Sequence, residues 1–341
     1  MPDNHPISPK APSLLSPVQD HHCRVIAQRN CGPNLWVITL ESTSGRFACR
    51  AGQFVMLDLP ERRFFFRRPF SVLKVSGEHR FEILYKVVGQ GTEMMKGFQI
   101  GQSLNVLGPL GKPFPKMPDA EAGKYLLLLG GGIGIAPLAC WLAENQELAE
   151  TQEKKQETTA ANHLTPLCVF GARNASELSI RPELEAYLDL TQRVFATDDG
   201  SYTGPDGFSG RIDQWLLKQP EYAKNAAAAY ICGPMPMMRA CVLALKQLNP
   251  LLSVFVSLEN HMPCGTGVCS GCAVFSSDSL PIKVCVEGPV LNAERIDWEN
   301  ADGRQDIQIR CTLSESATPD AYTSPLEISN AESQEGFSCQ R

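Results

Sequence analysis

The sequence has 341 residues, 43% of them hydrophobic, which is enough to bury a large core and to form two or three domains. Its 31 lysines and arginines against 37 aspartates and glutamates give a net charge of −6, and no basic run is present. This balance argues against binding to the phosphate backbone of nucleic acids. The first twenty residues lack the pattern of a targeting signal, and the longest strongly apolar run, Tyr125 to Leu129, is too short to span a bilayer. We therefore expect a cytoplasmic protein.

Short apolar stretches separated by Gly and Pro characterise residues 22–118. Such spacing predicts a small antiparallel β-barrel. Residues 1–21, which are rich in Pro and Ser, are expected to form a disordered extension. The predicted strands of the barrel are Leu35–Leu40, Phe54–Leu59, Phe81–Val88 and Ser103–Val106.

Apolar strands alternate with helix-compatible stretches across residues 119–250, which predicts a doubly wound parallel α/β sheet. The polar segment 151–162 is expected to be a solvated insertion. The predicted strands begin at Tyr125 and continue with Leu167–Phe170, Arg193–Thr197, Ala228–Cys232 and Val254–Leu258. The predicted helices are a stretch through Trp141 and Leu142, then Glu177–Leu188, Ile212–Gln219 and Met237–Leu248.

Four cysteines are crowded into residues 251–298, which we predict to be a small metal module. Cys264, Cys269 and Cys272 form a C-x4-C-x2-C pattern, and Cys285 follows after twelve more residues. Three close thiolates and one distant thiolate are typical of a [2Fe–2S] cluster, and the glycines between them allow the chain to wrap closely around it. A structural zinc site also uses four cysteines but favours two separated C-x2-C pairs, whereas only one is present here. The tail, residues 299–341, is expected to be poorly ordered.

Two loops are candidates for nucleotide binding. The apolar strand Leu126–Leu129 leads into the glycine-rich run at 130–137, where backbone amides can approach a pyrophosphate. Pro137 stands where the dinucleotide fingerprint has its third glycine, and a tight turn without a ligand is the alternative. The second loop, Cys232 to Met235, follows a predicted strand on the edge of the sheet where ligands bind. It could equally be an ordinary turn between a strand and a helix.

Two further groups end strands on the same edge. The carboxylates within Thr197–Gly200 could contact a ligand or belong to a solvated turn. Arg173 could bind a 2′-phosphate or be an ordinary surface residue at the end of its strand. The preference for NAD or NADP is therefore left open.

In the barrel, Arg67 to Ser71 combine cations, a rigid backbone and a hydroxyl at the start of a strand. A flavin dinucleotide needs such groups, because arginine binds phosphate oxygens and a hydroxyl can hydrogen-bond the flavin. Downstream, Gly89 to Glu93 form a glycine turn that enters a helix, which is suited to a pyrophosphate. A surface arginine pair remains the alternative for the first element.

Taken in order, several motifs resemble the ferredoxin-reductase-type electron-transfer subunit of class 1B dihydroorotate dehydrogenase. The resemblance covers about residues 22–298, and its most specific part is the cysteine segment with the Glu-Gly-Pro-Val run at 287–290. The motifs are RRPFS, LYKVVGQGT, GPLG, GGGIGIAP, TDDGSY, CGPMPMM and CGTGVCSGC followed by CVEGPV.

The resemblance implies a barrel that holds FAD, a sheet that binds NAD and a C-terminal [2Fe–2S] module that faces a partner. It implies that electrons pass from the FMN of a TIM-barrel catalytic subunit to the cluster, then to FAD and NAD⁺, in pyrimidine biosynthesis. The complex would contain two copies of each subunit. The residues implied for FAD are Arg68, Pro69, Phe70, Ser71, Leu84, Tyr85, Lys86, Gly91 and Thr92. Those implied for NAD are Gly132, Gly134, Cys232 and Gly233, with Cys232 near the nicotinamide.

Two other readings remain open. Reductase subunits of sulfide dehydrogenases, NADH-dependent ferredoxin:NADP oxidoreductases, hydrogenases or sulfite reductases use similar modules. A zinc-stabilised scaffold without activity is the alternative from another class. Such a scaffold would be expected to have lost its cofactor-binding motifs, whereas the arginine, glycine and cysteine motifs are intact here.

Overall fold

The computed structural model describes residues 18–60, 65–116, 124–154 and 164–300. Its first part is a closed six-stranded antiparallel barrel with the strand order β1-β2-β5-β4-β3-β6. A short helix, α1 (Gln90–Lys96), connects the two barrel strands that come last in sequence, β5 and β6. The strands are β1 (Gln19–Gly32), β2 (Leu35–Ser42), β3 (Phe54–Leu57), β4 (Arg68–Ser76), β5 (Arg80–Lys86) and β6 (Ser103–Leu110).

The predicted barrel is confirmed, but its boundary at residue 22 is wrong. The strand β1 begins at Gln19, and Gln19, Asp20 and His21 pair with β6. His21 is buried, and its Nδ1 lies 3.0 Å from Ser42 Oγ. Barrel closure therefore recruits polar residues that an apolar pattern does not reveal.

The second part is a seven-stranded sheet with the order β10-β9-β8-β7-β11-β12-β15, parallel except for the antiparallel pairing of β15 with β12. The strands of its central region are buried on both faces, as expected when helices cover a parallel sheet. Its strands are β7 (Tyr125–Gly131), β8 (Thr165–Ala172), β9 (Arg193–Thr197), β10 (Gly207–Ser209), β11 (Ala226–Cys232), β12 (Ser253–Ser257) and β15 (Val290–Asn292). Its helices are α2 (Ala136–Lys154), α3 (Arg181–Tyr187), α4 (Ile212–Lys218), α5 (Pro220–Lys224) and α6 (Met235–Leu248).

Two predicted segments differ from the observed ones. The helix α2 continues to Lys154, so the first residues of the predicted insertion at 151–162 are helical, and the rest lie outside the described residues. The predicted helix Glu177–Leu188 is a 3₁₀ turn, Ala175–Glu177, followed by the shorter α3. Pro182 stands at the start of α3, where its fixed φ favours a new helix. The predicted tail lies outside the described residues, apart from residues 299 and 300.

The cysteines lie between two neighbouring strands of the sheet. The chain leaves β12, passes through what we call the cluster segment (residues 258–289) and returns as β15. The predicted module at 251–298 therefore shares two strands with the sheet. The regular elements within the cluster segment are short: β13 (Ala273–Phe275), β14 (Pro281–Lys283) and α7 (Val284–Glu287).

Polar and aromatic contacts join the barrel to the sheet. The ring of Phe114 stacks on Tyr230 with centroids 4.7 Å apart, and the Tyr230 hydroxyl donates to the carbonyl of Pro115 at 3.0 Å. The Glu144 carboxylate accepts hydrogen bonds from Arg50 Nε at 3.0 Å and from the backbone N–H of Ala51 at 2.9 Å. These contacts join the two parts on either side of the cleft. Within the described part of the chain, no helix is long and apolar enough to cross a membrane.

Candidate functional site

A cavity of about 240 Å³, called the first cavity, opens where the barrel, the sheet and the cluster segment meet. Seven of the predicted cofactor residues line it, namely Pro69, Phe70, Ser71, Leu84, Lys86, Thr92 and Cys232. Its remaining lining residues are Phe54, Val88, Ile133, Ser257, Leu258, Glu259, Asn260, Met262 and Pro289. A mostly apolar cleft with a few polar groups is the usual form of a cofactor site.

Arg68 and Gly91 form a candidate phosphate cradle beside this cavity. A Cβ atom added to Gly91 would lie 3.4 Å from Arg68 Nε and 2.9 Å from Leu59 Cδ1, so a larger residue would crowd the guanidinium. Arg68 also donates to the carbonyl of Phe66 at 2.7 Å, which fixes its direction. A guanidinium next to a bare backbone fits a pyrophosphate oxygen. The neighbouring Arg67 is instead committed to a bidentate pair with Asp20.

Thr92 has a second task besides lining the cavity. Its Oγ1 accepts hydrogen bonds from the backbone N–H groups of Val88 at 3.0 Å and Gly89 at 3.2 Å. The hydroxyl therefore caps the turn that enters α1.

Tyr85 does not line the cavity. It points to the opposite face of β5 from Leu84 and Lys86, is fully buried in the barrel, and accepts a hydrogen bond from Gln28 Nε2 at 2.6 Å. Side chains alternate across a strand, so a run of three residues cannot place all three on one cavity. Tyr85 instead contacts the edge of Phe70, with centroids 6.3 Å apart.

A second cavity of about 280 Å³ lies at the carboxyl edge of the sheet and shares Lys86, Ile133 and Glu259 with the first. Asp198, Arg173 and Arg211 are among its lining residues. Arg211 is paired with Asp213, and Asp199 points away into a turn where it accepts the N–H of Ser201 at 2.9 Å. The remaining residues that line it are Gly131, Gly132, Gly171, Ala172, Glu177, Ile212, Pro234 and Met237.

The two predicted glycines of the first loop have different surroundings. Gly132 has a φ of +56° and no atom within 4 Å of its Cβ direction, so its backbone is open to the second cavity. A Cβ at Gly134 would lie 2.6 Å from the backbone of Cys232 and Gly233. Gly134 is therefore required for the close packing of the two loops rather than for access to a ligand.

Cys232 lies at the end of β11, on the wall of the first cavity. Burial raises the pKa of its thiol well above the ordinary value, the nearby Glu259 adds to this, and a hydrogen bond with Ser257 opposes it. The thiol is therefore neutral at physiological pH. A neutral, polarisable group suits contact with a flat ring.

The four cysteines of the cluster segment interact in two pairs. Cys264 interacts with Cys269, and Cys285 with Cys272, whose Sγ also accepts the Cys285 backbone N–H at 3.4 Å. Thr266 N–H points at Cys264 Sγ, and Gly271 N–H at Cys269 Sγ, both at 3.4 Å. Four thiols in two pairs, with amides directed at sulfur, fit a two-iron cluster in which each iron takes two thiolates.

The electrostatics of the pairs are unequal. Although burial alone would raise it, hydrogen bonds from the backbone of Cys269 and Thr266 lower the pKa of the Cys264 thiol to about 6. Burial and the Cys272 thiol raise the pKa of Cys285 to about 12. Cys264 would therefore bind a metal as a thiolate that is already formed, whereas Cys285 would have to lose its proton on binding the metal.

The segment from Ser257 to Met262 is the part of the site that the sequence motifs did not identify. Asn260 lines the first cavity, and its Nδ2 donates to the carbonyl of the cluster ligand Cys272 at 3.2 Å. Met262 lines the same cavity two residues before Cys264. The segment begins at the end of β12, on the carboxyl edge of the sheet where ligands bind, and this position is the signal that could have indicated it.

Three family models match the chain. They are described as an oxidoreductase FAD-binding domain over residues 23–114, an oxidoreductase NAD-binding domain over 128–242, and the iron–sulfur cluster binding domain of dihydroorotate dehydrogenase B over 259–297. A solved NADH-dependent reduced ferredoxin-NADP oxidoreductase is 25% identical with a TM-score of 0.62, covering 82% of this chain and 90% of that one. The FAD/NAD-binding domain of a Vibrio cholerae nitric oxide dioxygenase shares the fold at 16% identity, with a TM-score of 0.53 over 70% of this chain and 99% of that one.

These findings define the class: an oxidoreductase of the ferredoxin-reductase type with FAD-binding, NAD-binding and iron–sulfur domains. A Bacillus velezensis protein named dihydroorotate dehydrogenase B (NAD(+)), electron transfer subunit, is 32% identical over 81% of this chain and 98% of its own length. The Streptococcus pneumoniae protein of the same name is 30% identical over 79% of this chain and 94% of its own. The chain belongs to this family of electron-transfer subunits.

Proposed function

We propose that the chain passes electrons from the FMN of a dihydroorotate dehydrogenase catalytic subunit, through its [2Fe–2S] cluster and FAD, to NAD⁺ in pyrimidine biosynthesis. The flavin supplies the step between one-electron transfer with the cluster and two-electron transfer with the nucleotide. The chain itself is the carrier and not the site of dihydroorotate oxidation.

The observation that carries the proposal is the direct connection between the first cavity and the cysteines. Asn260 lines the cavity and is bonded to Cys272, while Gly265 rests on Met56 and Leu110 of the barrel. A cluster held by these cysteines would therefore be connected to a flavin in this cavity through Asn260 and Cys272. A direct connection between the two sites is what electron transfer between them requires.

The residues of the chain would bind and orient. Arg68 and the turn at Gly91 would hold the FAD pyrophosphate, while Ser71 and Phe70 would contact the flavin ring. Gly132 would leave room for the NAD pyrophosphate, and Cys232 would close the nicotinamide end of the cavity. Lys86 lines both cavities, and its ion pair with Glu177 at 3.1 Å would hold the wall that they share.

The test compares the isolated chain with its complex. The isolated chain is expected to contain FAD and about two irons and to reduce artificial acceptors with NADH, without oxidising dihydroorotate. Addition of the catalytic subunit should give dihydroorotate-dependent reduction of NAD⁺. Zinc in place of iron, or dihydroorotate turnover by the isolated chain, would contradict the proposal.

A second candidate is a reductase subunit of a different complex, favoured by the similarity to the NADH-dependent ferredoxin-NADP oxidoreductase. The two candidates differ in the donor that reduces the cluster. Reduction of NAD⁺ by reduced ferredoxin, and not by dihydroorotate with a catalytic subunit, would favour the second.

The proposal includes a heterotetramer with two copies of each subunit and a cytoplasmic location. None of the cysteines in the described ranges is in a disulfide, which agrees with a reducing compartment. Mass measurement of the purified complex tests the stoichiometry.

A further inference from the structure

We propose that Glu259 sets the preference for the oxidation state of the nucleotide, because its carboxylate stabilises the cationic nicotinamide ring of NAD⁺ and not the neutral ring of NADH. This inference rests on the proposed function, since it takes NAD⁺ and NADH to be the ligands of the two cavities.

Glu259 stands at the junction of both cavities. Among the described residues, three line both cavities: Lys86, Ile133 and Glu259. Of these three, Glu259 is the acidic one. A dinucleotide that lies along the second cavity and reaches a flavin in the first must pass this junction with its nicotinamide end. The carboxylate therefore lies beside the reactive ring rather than beside the adenosine.

No ion pair or hydrogen bond compensates this carboxylate within the described residues. The residue is exposed to solvent in the cleft, although the surrounding protein is close enough that desolvation raises the pKa of Glu259. A cationic ring that meets this carboxylate therefore gains a Coulombic contact without displacing an existing partner.

The neighbouring charges do not cancel the effect. Lys86 is engaged by Glu177 at 3.1 Å, and the Cys232 thiol is neutral. The cations Arg173 and Arg211 line the second cavity but not the first. Arg211 is paired with Asp213. Glu259 is thus the local source of negative potential at the ring.

The difference between the ligands is confined to the ring. NAD⁺ and NADH share the same adenosine, riboses and pyrophosphate, so any contact with those parts affects both equally. A charge about 5 Å from a cation in a partly desolvated cleft changes affinity by about tenfold or more. The expected signature of Glu259 is therefore a change in the ratio of the two dissociation constants.

The test uses the FAD- and cluster-loaded chain and its Glu259→Gln variant at pH 8. NAD⁺ is titrated against the oxidised protein and NADH against the fully reduced protein, so that no net electron transfer accompanies binding. We expect the Kd of NAD⁺ to rise about tenfold in the variant, while the Kd of NADH changes less than about twofold. Equal weakening of both, or no change in either, would overturn the inference.

Asp198→Asn is the matched control, because it removes the same charge from the wall of the second cavity alone. It is expected to leave the ratio of the two constants unchanged. Glu259→Asp keeps the charge and should retain most of the preference; loss as large as that of Glu259→Gln would mean that shape and not charge matters. If the unsubstituted chain binds neither nucleotide, the proposed function itself fails.

Discussion

The barrel and the cluster segment obtain their order in different ways. Every strand of the barrel is hydrogen-bonded on both sides, and its interior is filled by side chains such as Ile38, Phe81 and Ile83. The regular elements of the cluster segment are three or four residues long, and several of its amides point at cysteine sulfur. The barrel is specified by its own packing, whereas the cluster segment is built around a metal.

The largest expected effect comes from Cys272→Ser, which removes one ligand from the segment. We expect loss of iron, and a fall of more than about 100-fold in dihydroorotate-dependent reduction of NAD⁺ by the complex. FAD content and NADH-dependent reduction of artificial acceptors should stay within about twofold, because the barrel does not depend on the metal. Limited proteolysis should cut residues 258–289 first; loss of FAD together with iron would break the distinction between the two regions.

A smaller effect is expected from Gly134→Ala, which tests whether the sheet is as strictly packed as the barrel. The added methyl would lie 2.6 Å from the backbone of Cys232 and Gly233, where neither side can yield easily. We expect the free energy of unfolding to fall by about 2 kcal/mol in denaturant titrations.

Gly97→Ala is the control for that substitution. Its φ is −86°, and the nearest atom to the added methyl is the Met94 carbonyl oxygen at 3.4 Å. A stability loss equal to that of Gly134→Ala would show that the backbone contact is not the cause.

The smallest effect is expected from Asp206→Asn at the edge of the sheet. Asp206 accepts hydrogen bonds from Arg193 Nε at 2.7 Å and from the Tyr202 hydroxyl at 2.8 Å. Although burial alone would raise it, these bonds hold the pKa of Asp206 below its ordinary value. The substitution should lower the free energy of unfolding by about 1 kcal/mol at pH 7.

The pH dependence of that loss has a definite sign. A carboxylate whose pKa is depressed by folding stabilises the protein above its unfolded pKa, about 3.9, and this contribution disappears as the pH falls through the folded pKa. The stability curves of the two proteins should therefore converge in acid. A difference that stays constant down to that range would exclude the ion pair as its origin, and Asp199→Asn, at an exposed turn, should show a smaller change.

The sequence predicted the parts of the site whose geometry is local. The spacing of Cys264, Cys269 and Cys272 is set by the size of the cluster, so it is visible in a short stretch of chain. The glycine turn at Gly132 is local in the same sense. Fold class followed from the change of pattern near Tyr125.

The parts that depend on distant chain segments were not visible. Glu259 and Asn260 become cavity residues only because β12 lies beside β11 in the sheet. Tyr85 was assigned to the flavin together with its neighbours, and strand alternation places it in the barrel interior instead. The strand β1 was missed because its polar residues, such as Gln28, bond inside the barrel.

The way in which the chain returns to the sheet after the cysteines has a topological consequence. Ser257 at the end of β12 pairs directly with Val290 at the start of β15, so the chain departs and re-enters at a single point. An exchange of the residues between Met262 and Pro289 could therefore replace the metal ligands while β12 and β15 stay paired. The two ends of the cluster segment do not share this freedom, because Leu258 to Asn260, Met262 and Pro289 also form the wall of the first cavity.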